Sequence, residues 1–252
     1  AVCVARLVDQ GRLRFDETLA QVIAAHLAAH PPADPRARAI TIGQLLTHTS
    51  GLGADIDPAR LPRGIDLRSA SPAPLVRVAL SARLRAAPGA RFHYNSVNYV
   101  ILGLAIEART GQSYEAACRQ RVLAPLGIGR ARLNPVARSL GATGGWQMPV
   151  RDYARFLAHV LPGRGLIRTA PADWPRADLG GGAAYSLGLF ERRRETGTVL
   201  WHHGQWPGPG GSASAAFVVL TPGLRYVVAE APRVSAEARR DLERAMWTAA
   251  FP

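Results

Sequence analysis

The spacing of apolar residues divides the chain into a long part with helical periodicity and a shorter part with strand character. Val100, Ile101, Leu104, Ala105 and Ala108 fall along one helical face, and Gly111 ends the run. Pro88-Gly89 marks a tight turn upstream. An aromatic stretch leads from it to Tyr94, which places that side chain on the loop feeding a buried helix. The first eleven residues, AVCVARLVDQG, read as the tail of an apolar helix closed by Gly11, so the chain is expected to begin inside an element. Asp16 is the predicted cap of an amphipathic segment reaching Leu27, which Pro31, Pro32 and Pro35 then break. Thr41 and Gln44 have capping-box spacing and predict a short helix that Gly51 terminates.

Further along, Ser71-Pro72 predicts a helix start running to about Arg85. Ser113 predicts the cap of another helix, ended by Pro125-Leu126-Gly127. Val150, Phe156, Leu157, Val160 and Leu161 predict a helix after Gly144-Gly145-Trp146, with Asp152 as a first-turn acid favoured by the helix dipole. Residues 164–182 are rich in Gly, Pro and Ala and read as a loop. From Tyr185 the pattern turns to strands, predicted over 185–192, 198–203, 212–220 and 225–231, with Thr221-Pro222-Gly223 as the last turn. Ser235 caps a final amphipathic helix to about Ala249. Helices in the middle, then strands and a helix, predict an α+β class: an antiparallel sheet flanked by helices, with an all-helical region. One domain is expected over 1–252, mainly helical across about 12–182, with 183–252 supplying strands and the last helix.

Composition narrows the function classes. At 252 residues and 48% apolar content the chain can bury a sizeable core. No apolar run approaches the ~18 residues of a membrane span. The net charge of +13 comes from 31 basic residues, every one an arginine. They are scattered, apart from Arg192-Arg193-Arg194, and are not interleaved with aromatics, so nucleic acid is not the expected partner. His26 and His30 are four apart, a spacing that suits a metal pair. No Glu lies between them and no third ligand is indicated, so they read as solvent-facing and no metal or cofactor is expected. Cys3 and Cys118 show no metal or redox spacing and read as buried free thiols.

Three phrases remain: LLTHTSGL (45–52), Tyr94-Asn95-Ser96-Val97-Asn98-Tyr99, and Trp201-His202-His203-Gly204 followed by Pro207-Gly208. His48 and Ser50 lie outside any Gly-x-Ser-x-Gly elbow, so they read as a hydrogen-bonded turn rather than a catalytic pair. Taken in order, the phrases resemble the serine hydrolases of the β-lactamase and penicillin-binding-protein superfamily. The nearest branch holds class C β-lactamases, D-alanyl-D-alanine carboxypeptidases and related esterases.

The resemblance implies acyl transfer to water through a serine ester, without cofactor or metal. It makes Tyr94 the proton shuttle working with a lysine, and puts Ser96 where the family has Asn, to hydrogen-bond the substrate or that lysine. His202 falls on the lysine of the family's Lys-Thr-Gly strand. Gly204 falls on its glycine, where a side chain would block the substrate, and the Gln205 backbone N–H becomes an oxyanion donor. Histidine is largely neutral at pH 7, which tilts the expected substrate toward small-molecule esters, amides or small peptides and away from efficient penicillin hydrolysis. The family's Ser-x-x-Lys nucleophile motif is absent, because the chain has no lysine. By the family's spacing the serine is expected within about ten residues upstream of Ala1. The N-terminal helix and strands of the fold are likewise expected to be lacking. Two readings follow: a serine hydrolase, or a non-catalytic remnant or ligand-binding module of the same fold. Family members are usually exported, so a periplasmic or extracellular location is expected.

Overall fold

The computed structural model describes residues 1–53, 61–160, 165–195, 197–205, 212–221, 223–232 and 235–250. The helices are α1 (Val2–Asp9), α2 (Leu19–Val22), α3 (Ala24–Ala29), α4 (Ile42–Leu46), α5 (Ala73–Leu80), α6 (Val97–Thr110), α7 (Tyr114–Cys118), α8 (Gly141–Gly144), α9 (Val150–Val160) and α10 (Ala236–Ala250). Strands β1 (Arg132–Leu133) and β2 (Trp146–Gln147) form a small antiparallel pair. The main sheet is an antiparallel meander in chain order: β3 (Arg176–Gly180), β4 (Ala183–Ser186), β5 (Leu189–Arg194), β6 (Gly197–Gln205), β7 (Ser212–Thr221) and β8 (Gly223–Pro232). This is the mixed helical and antiparallel α+β architecture that the sequence predicts.

Helix α6 organises the helical part. Val97, Asn98 and the whole run from Val100 to Ile106 are buried, so this helix is covered on every side. Helices α1, α2, α4, α5, α7 and α8 all pack against it. Gly103 allows α8 to come close, since a Cβ there would sit 3.1 Å from the Ala142 Cβ. Gly111 ends the helix in the left-handed conformation at φ 67°, as its position predicts.

Several predicted ends hold in detail. Thr41 and Gln44 make the capping box, with Gln44 N–H donating to Thr41 Oγ1 at 3.1 Å and Thr41 N–H donating to Gln44 Oε1 at 2.9 Å. Ser113 accepts from Ala116 N–H, and Ser235 from Ala238 N–H. Other ends move. The cap after Phe15 is Thr18, whose N–H donates to Gln21 Oε1, while Asp16 pairs with Arg14 instead. The segment to Leu27 then breaks at Ile23 into α2 and α3. The helix after Ser71-Pro72 stops at Leu80, five residues short of Arg85.

The strand predicted over 185–192 is two strands joined by a tight hairpin. Leu187 (φ 45°) and Gly188 (φ 85°) both adopt positive φ, the backbone of a mirror-image turn. Leucine is a poor residue for that conformation, so the usual Asn-Gly signal is missing. Strand β3 falls inside the stretch predicted as a loop. Its short sequence, Arg-Ala-Asp-Leu-Gly, carries no β-branched residue, and its ladder is broken by a bulge between Asp178 and Gly180.

Asp9 ties the end of α1 to the loop before β3. Its carboxylate accepts from Arg168 N–H and Thr169 N–H, both at 2.8 Å, and from Thr169 Oγ1 at 2.6 Å. Arg6 completes the contact. Burial pushes this carboxyl up, but the hydrogen bonds and the Arg6 charge outweigh it and its pKa is lowered. Asp9→Ala strands those donors and is expected to cost about 2–4 kcal/mol in chemical denaturation. Because the folded pKa lies below the unfolded one, the contribution is complete above the ordinary carboxylate range. It fades as pH falls through the folded value, so the gap between wild type and variant should narrow in acid.

Candidate active site

The site is built where the 48–51 turn, the segment from Arg85 to Ser96, and strands β4 to β6 meet. The turn and the segment run alongside each other. Arg85 N–H donates to Gly51 O at 2.9 Å, Gly89 N–H to Thr49 O at 2.7 Å and His93 N–H to His48 O at 2.8 Å. Gly51 (φ 80°) makes the approach possible, because a Cβ there would come within 2.2 Å of the Ala86 carbonyl oxygen. His48 takes positive φ (55°), and Ser50 Oγ accepts from Leu52 N–H. As the sequence suggests, His48 and Ser50 belong to a hydrogen-bonded turn.

His48 nevertheless does more than close that turn. Its side chain is buried, and its Nδ1 lies 3.2 Å from Asn95 N, 3.1 Å from Asn98 Nδ2 and 3.1 Å from Asn95 O. Two N–H donors converge on this nitrogen, which makes Nδ1 the acceptor and leaves the proton of the neutral ring on Nε2. Burial, followed by the charges of His202 and His93, lowers the His48 pKa to about 4, although the Asn95 backbone contact opposes the shift. Asn95 is itself fully buried. Its Oδ1 accepts from Val97 N–H at 2.9 Å and so starts α6.

This frame presents Tyr94. Tyr94 is 42% exposed, so it stands out of the core while the flanking Asn95 is buried. The Tyr94 ring centroid lies 4.3 Å from that of His48, 6.3 Å from that of His202 and 6.5 Å from that of Phe190, with which it is stacked. Phe190 is 6.2 Å from His202, so Tyr94, Phe190 and His202 form a triangle of rings. Behind it, Tyr185 meets His48 at 4.8 Å, and Tyr99 donates from Oη to the Leu46 carbonyl. Burial raises the pKa of both Tyr99 and Tyr185, which keeps these phenols protonated. Burial, then the neighbouring His203, lowers the pKa of His202, so this ring is neutral at pH 7.

Two of the predicted side chains, Tyr94 and His202, are brought together. Ser96 is half-buried at the first turn of α6, where its carbonyl accepts from Tyr99 and Val100 N–H. Gly204 and the Gln205 backbone follow His202 at the end of β6; Pro207 and Gly208 lie outside the described residues. The ladder between β5 and β6 ends at Phe190↔Trp201, whereas β6 pairs with β7 as far as Gln205↔Ala213. Residues 202–205 are therefore paired by a described strand on one side only. Sequence reasoning missed Phe190 and Tyr185 because each reads as an ordinary strand residue. Only the tertiary fold brings them to Tyr94. Among the described residues no group of three or more His, Cys, Asp or Glu could hold a metal ion, and no helix is long and apolar enough to cross a membrane.

The sequence matches the family described as Beta-lactamase over residues 1–231. Penicillin-binding protein 4 of Amycolatopsis lactamdurans is 36% identical over 135 residues, covering 54% of this chain and 33% of that protein. Esterase EstB of Burkholderia gladioli is 36% identical over 138 residues, covering 51% of this chain and 34% of that protein. These matches thus span about a third of each curated relative's length. Among solved structures, a penicillin-binding protein from Bacillus halodurans superposes with a TM-score of 0.74 at 19% identity, covering 97% of this chain and 82% of that one. The D-amino acid amidase of Ochrobactrum anthropi SV3 gives 0.72 at 20% identity, covering 98% and 82%. At these identities the structural likeness establishes the fold.

Proposed function

This chain belongs to the beta-lactamase family, and from that membership we propose that it carries the tyrosine and histidine side of a serine acyl-hydrolase site acting on neutral esters, amides or small peptides. The observation that supports this most is the placement of Tyr94. Its side chain stands beside His202 on β6, stacked on Phe190 and backed by the buried His48. A phenol has an ordinary pKa near ~10 and needs a neighbouring cation to exchange protons at neutral pH. No lysine is available within the chain. Residues 1–252 therefore hold no Ser-x-x-Lys pair to supply the nucleophile and its cation.

Each remaining residue has a stated part. Ser96 hydrogen-bonds the substrate or the incoming lysine. The one-sided end of β6 lets the acyl group lie edge-on against residues 202–205, and the Gln205 N–H donates to the tetrahedral oxyanion. Neutral His202 donates or accepts a hydrogen bond without attracting a carboxylate, which favours uncharged acyl donors. The curated relatives and structural neighbours include an esterase, a penicillin-binding protein and an amidase, chemistries that share an acyl-enzyme route.

The test is a substrate panel on the full-length gene product. p-Nitrophenyl esters and D- and L-amino acid amides are expected to turn over, with benzylpenicillin at least tenfold slower in kcat/KM. If none turns over while esters still bind, the non-catalytic reading, a ligand-binding module of the same fold, is the correct one.

A further inference from the structure

Helix α3 carries a pair of metal-ligating side chains apart from the turn, segment and strands that build the Tyr94 site. His26 and His30 stand one helical turn apart, the spacing at which two histidines on one helix face bind zinc. His30 is the C-cap: its N–H donates to the His26 carbonyl at 2.8 Å, and Pro31 after it disfavours further helix. The two ring centroids are 5.3 Å apart, with the planes tilted by 59°. Two imidazoles bound to one tetrahedral ion through nitrogens at about 2.0–2.1 Å hold their centroids roughly 5 Å apart, so these rings already stand at that separation. The pair is not simply solvent-facing, as its spacing suggests. His30 is exposed, but His26 is half-buried. Its Nε2 is buried and has no hydrogen-bond partner, which costs stability unless a ligand satisfies that nitrogen. Burial, then His30 and Arg77, lowers the pKa of His26, so the ring is neutral at pH 7, the form that ligates a metal. The backbone beneath is constrained. Leu27 is fully buried, its carbonyl accepts from Arg38 at 3.2 Å, and Ala33 N–H donates to Leu80 O at the end of α5 at 2.9 Å.

We propose that His26 and His30 are a two-histidine site for a late first-row divalent ion (zinc, nickel or copper), with water completing the coordination. Imidazole suits these ions, whereas magnesium and calcium take oxygen ligands that the pair does not offer. The ion reaches the exposed His30 first, and a small turn of the His26 ring then closes the chelate. Two protein ligands make a weaker and more exchangeable site than the four of a structural zinc centre. The ion satisfies the buried nitrogen of His26 and fastens the last turn of α3 to the residue that leaves it. It binds the folded chain in preference to the unfolded one, so it stabilises the fold.

The experiment is a calorimetric titration of Zn²⁺ into the full-length gene product, stripped beforehand with EDTA, with Mg²⁺ as the control ion. Wild type is expected to bind a zinc ion that His30→Ala weakens at least about tenfold. His30 is exposed, so its replacement leaves the fold intact. His26→Asn is the second variant and should weaken zinc to a similar extent. The wild-type thermal midpoint should rise by about 3 °C or more at zinc a hundredfold above the dissociation constant, and His30→Ala should lose that rise. Copper(II) in place of zinc should show hyperfine coupling to two ring nitrogens in wild type and to one in His30→Ala. No zinc binding, binding of equal strength in His30→Ala, or Mg²⁺ bound as tightly as Zn²⁺ would overturn the proposal. None of these readouts involves hydrolysis, so the result is independent of the proposed function.

Discussion

Replacing Tyr94 by Phe is expected to lower kcat/KM for a p-nitrophenyl ester by about 10²–10⁴-fold in the full-length gene product, the range a positioned proton-transfer group supplies. Tyr94 is 42% exposed, and its ring stacks on Phe190 with the His48 ring behind it. Phenylalanine preserves those contacts and removes only the hydroxyl. The thermal midpoint should therefore stay within about 2 °C of wild type, since the change leaves no cavity in the core. A loss confined to KM would make Tyr94 a binding residue. An unchanged rate would remove it from the chemistry.

The second large effect is expected at His48. His48→Ala takes the acceptor away from Asn95 N–H and Asn98 Nδ2 and opens a cavity under the Tyr94 loop. Two stranded donors and the lost packing together cost about 3–5 kcal/mol, which for a chain of this length lowers the thermal midpoint by roughly 6–20 °C. His48→Asn places Oδ1 near the position of Nδ1 and should recover more than half of the loss. The wild-type protein should also be acid-sensitive at this residue. The folded pKa of about 4 lies below the unfolded value of 6.5, so the unfolded state binds more protons between them and stability rises with pH across that window. Stability from this source is complete above pH 6.5 and falls by about 3 kcal/mol on going down to pH 4. Below pH 4 both states are protonated and the slope vanishes. Urea titrations at pH 7, 5.5 and 4 should show this fall in wild type and not in His48→Asn.

The legible parts of the fold were those with local causes. The capping box at Thr41 and Gln44, the Ser113 and Ser235 caps and the left-handed Gly111 are each set by residues within one turn of the feature. Helix α6 was legible because its apolar face is continuous, although burial on every side could not be read from one face alone. The hairpin at Leu187-Gly188 and the strand Arg176–Gly180 were not legible. Their backbone is imposed by pairing with distant partners, against the local preference of Leu187 and the weak strand propensity of the 176–180 sequence.

The site divides in the same way. Tyr94 and His202 are legible in their phrases, and the 48–51 turn in its local residues. The support of Tyr94 by His48 and Phe190 was hidden, because Asn95 and His48 lie 47 residues apart and meet only once the 48–51 turn and the Tyr94 segment are laid side by side.

The central claim is that this chain supplies Tyr94 and His202 to a serine nucleophile outside residues 1–252. Labelling the full-length gene product with a fluorophosphonate and locating the adduct by mass spectrometry tests it most directly. The expected result is one adduct, on a serine followed three positions later by lysine and outside residues 1–252, formed at least tenfold more slowly in the Tyr94→Phe variant. An adduct on a serine within residues 1–252, or no adduct on a protein that is folded and binds esters, would contradict the account.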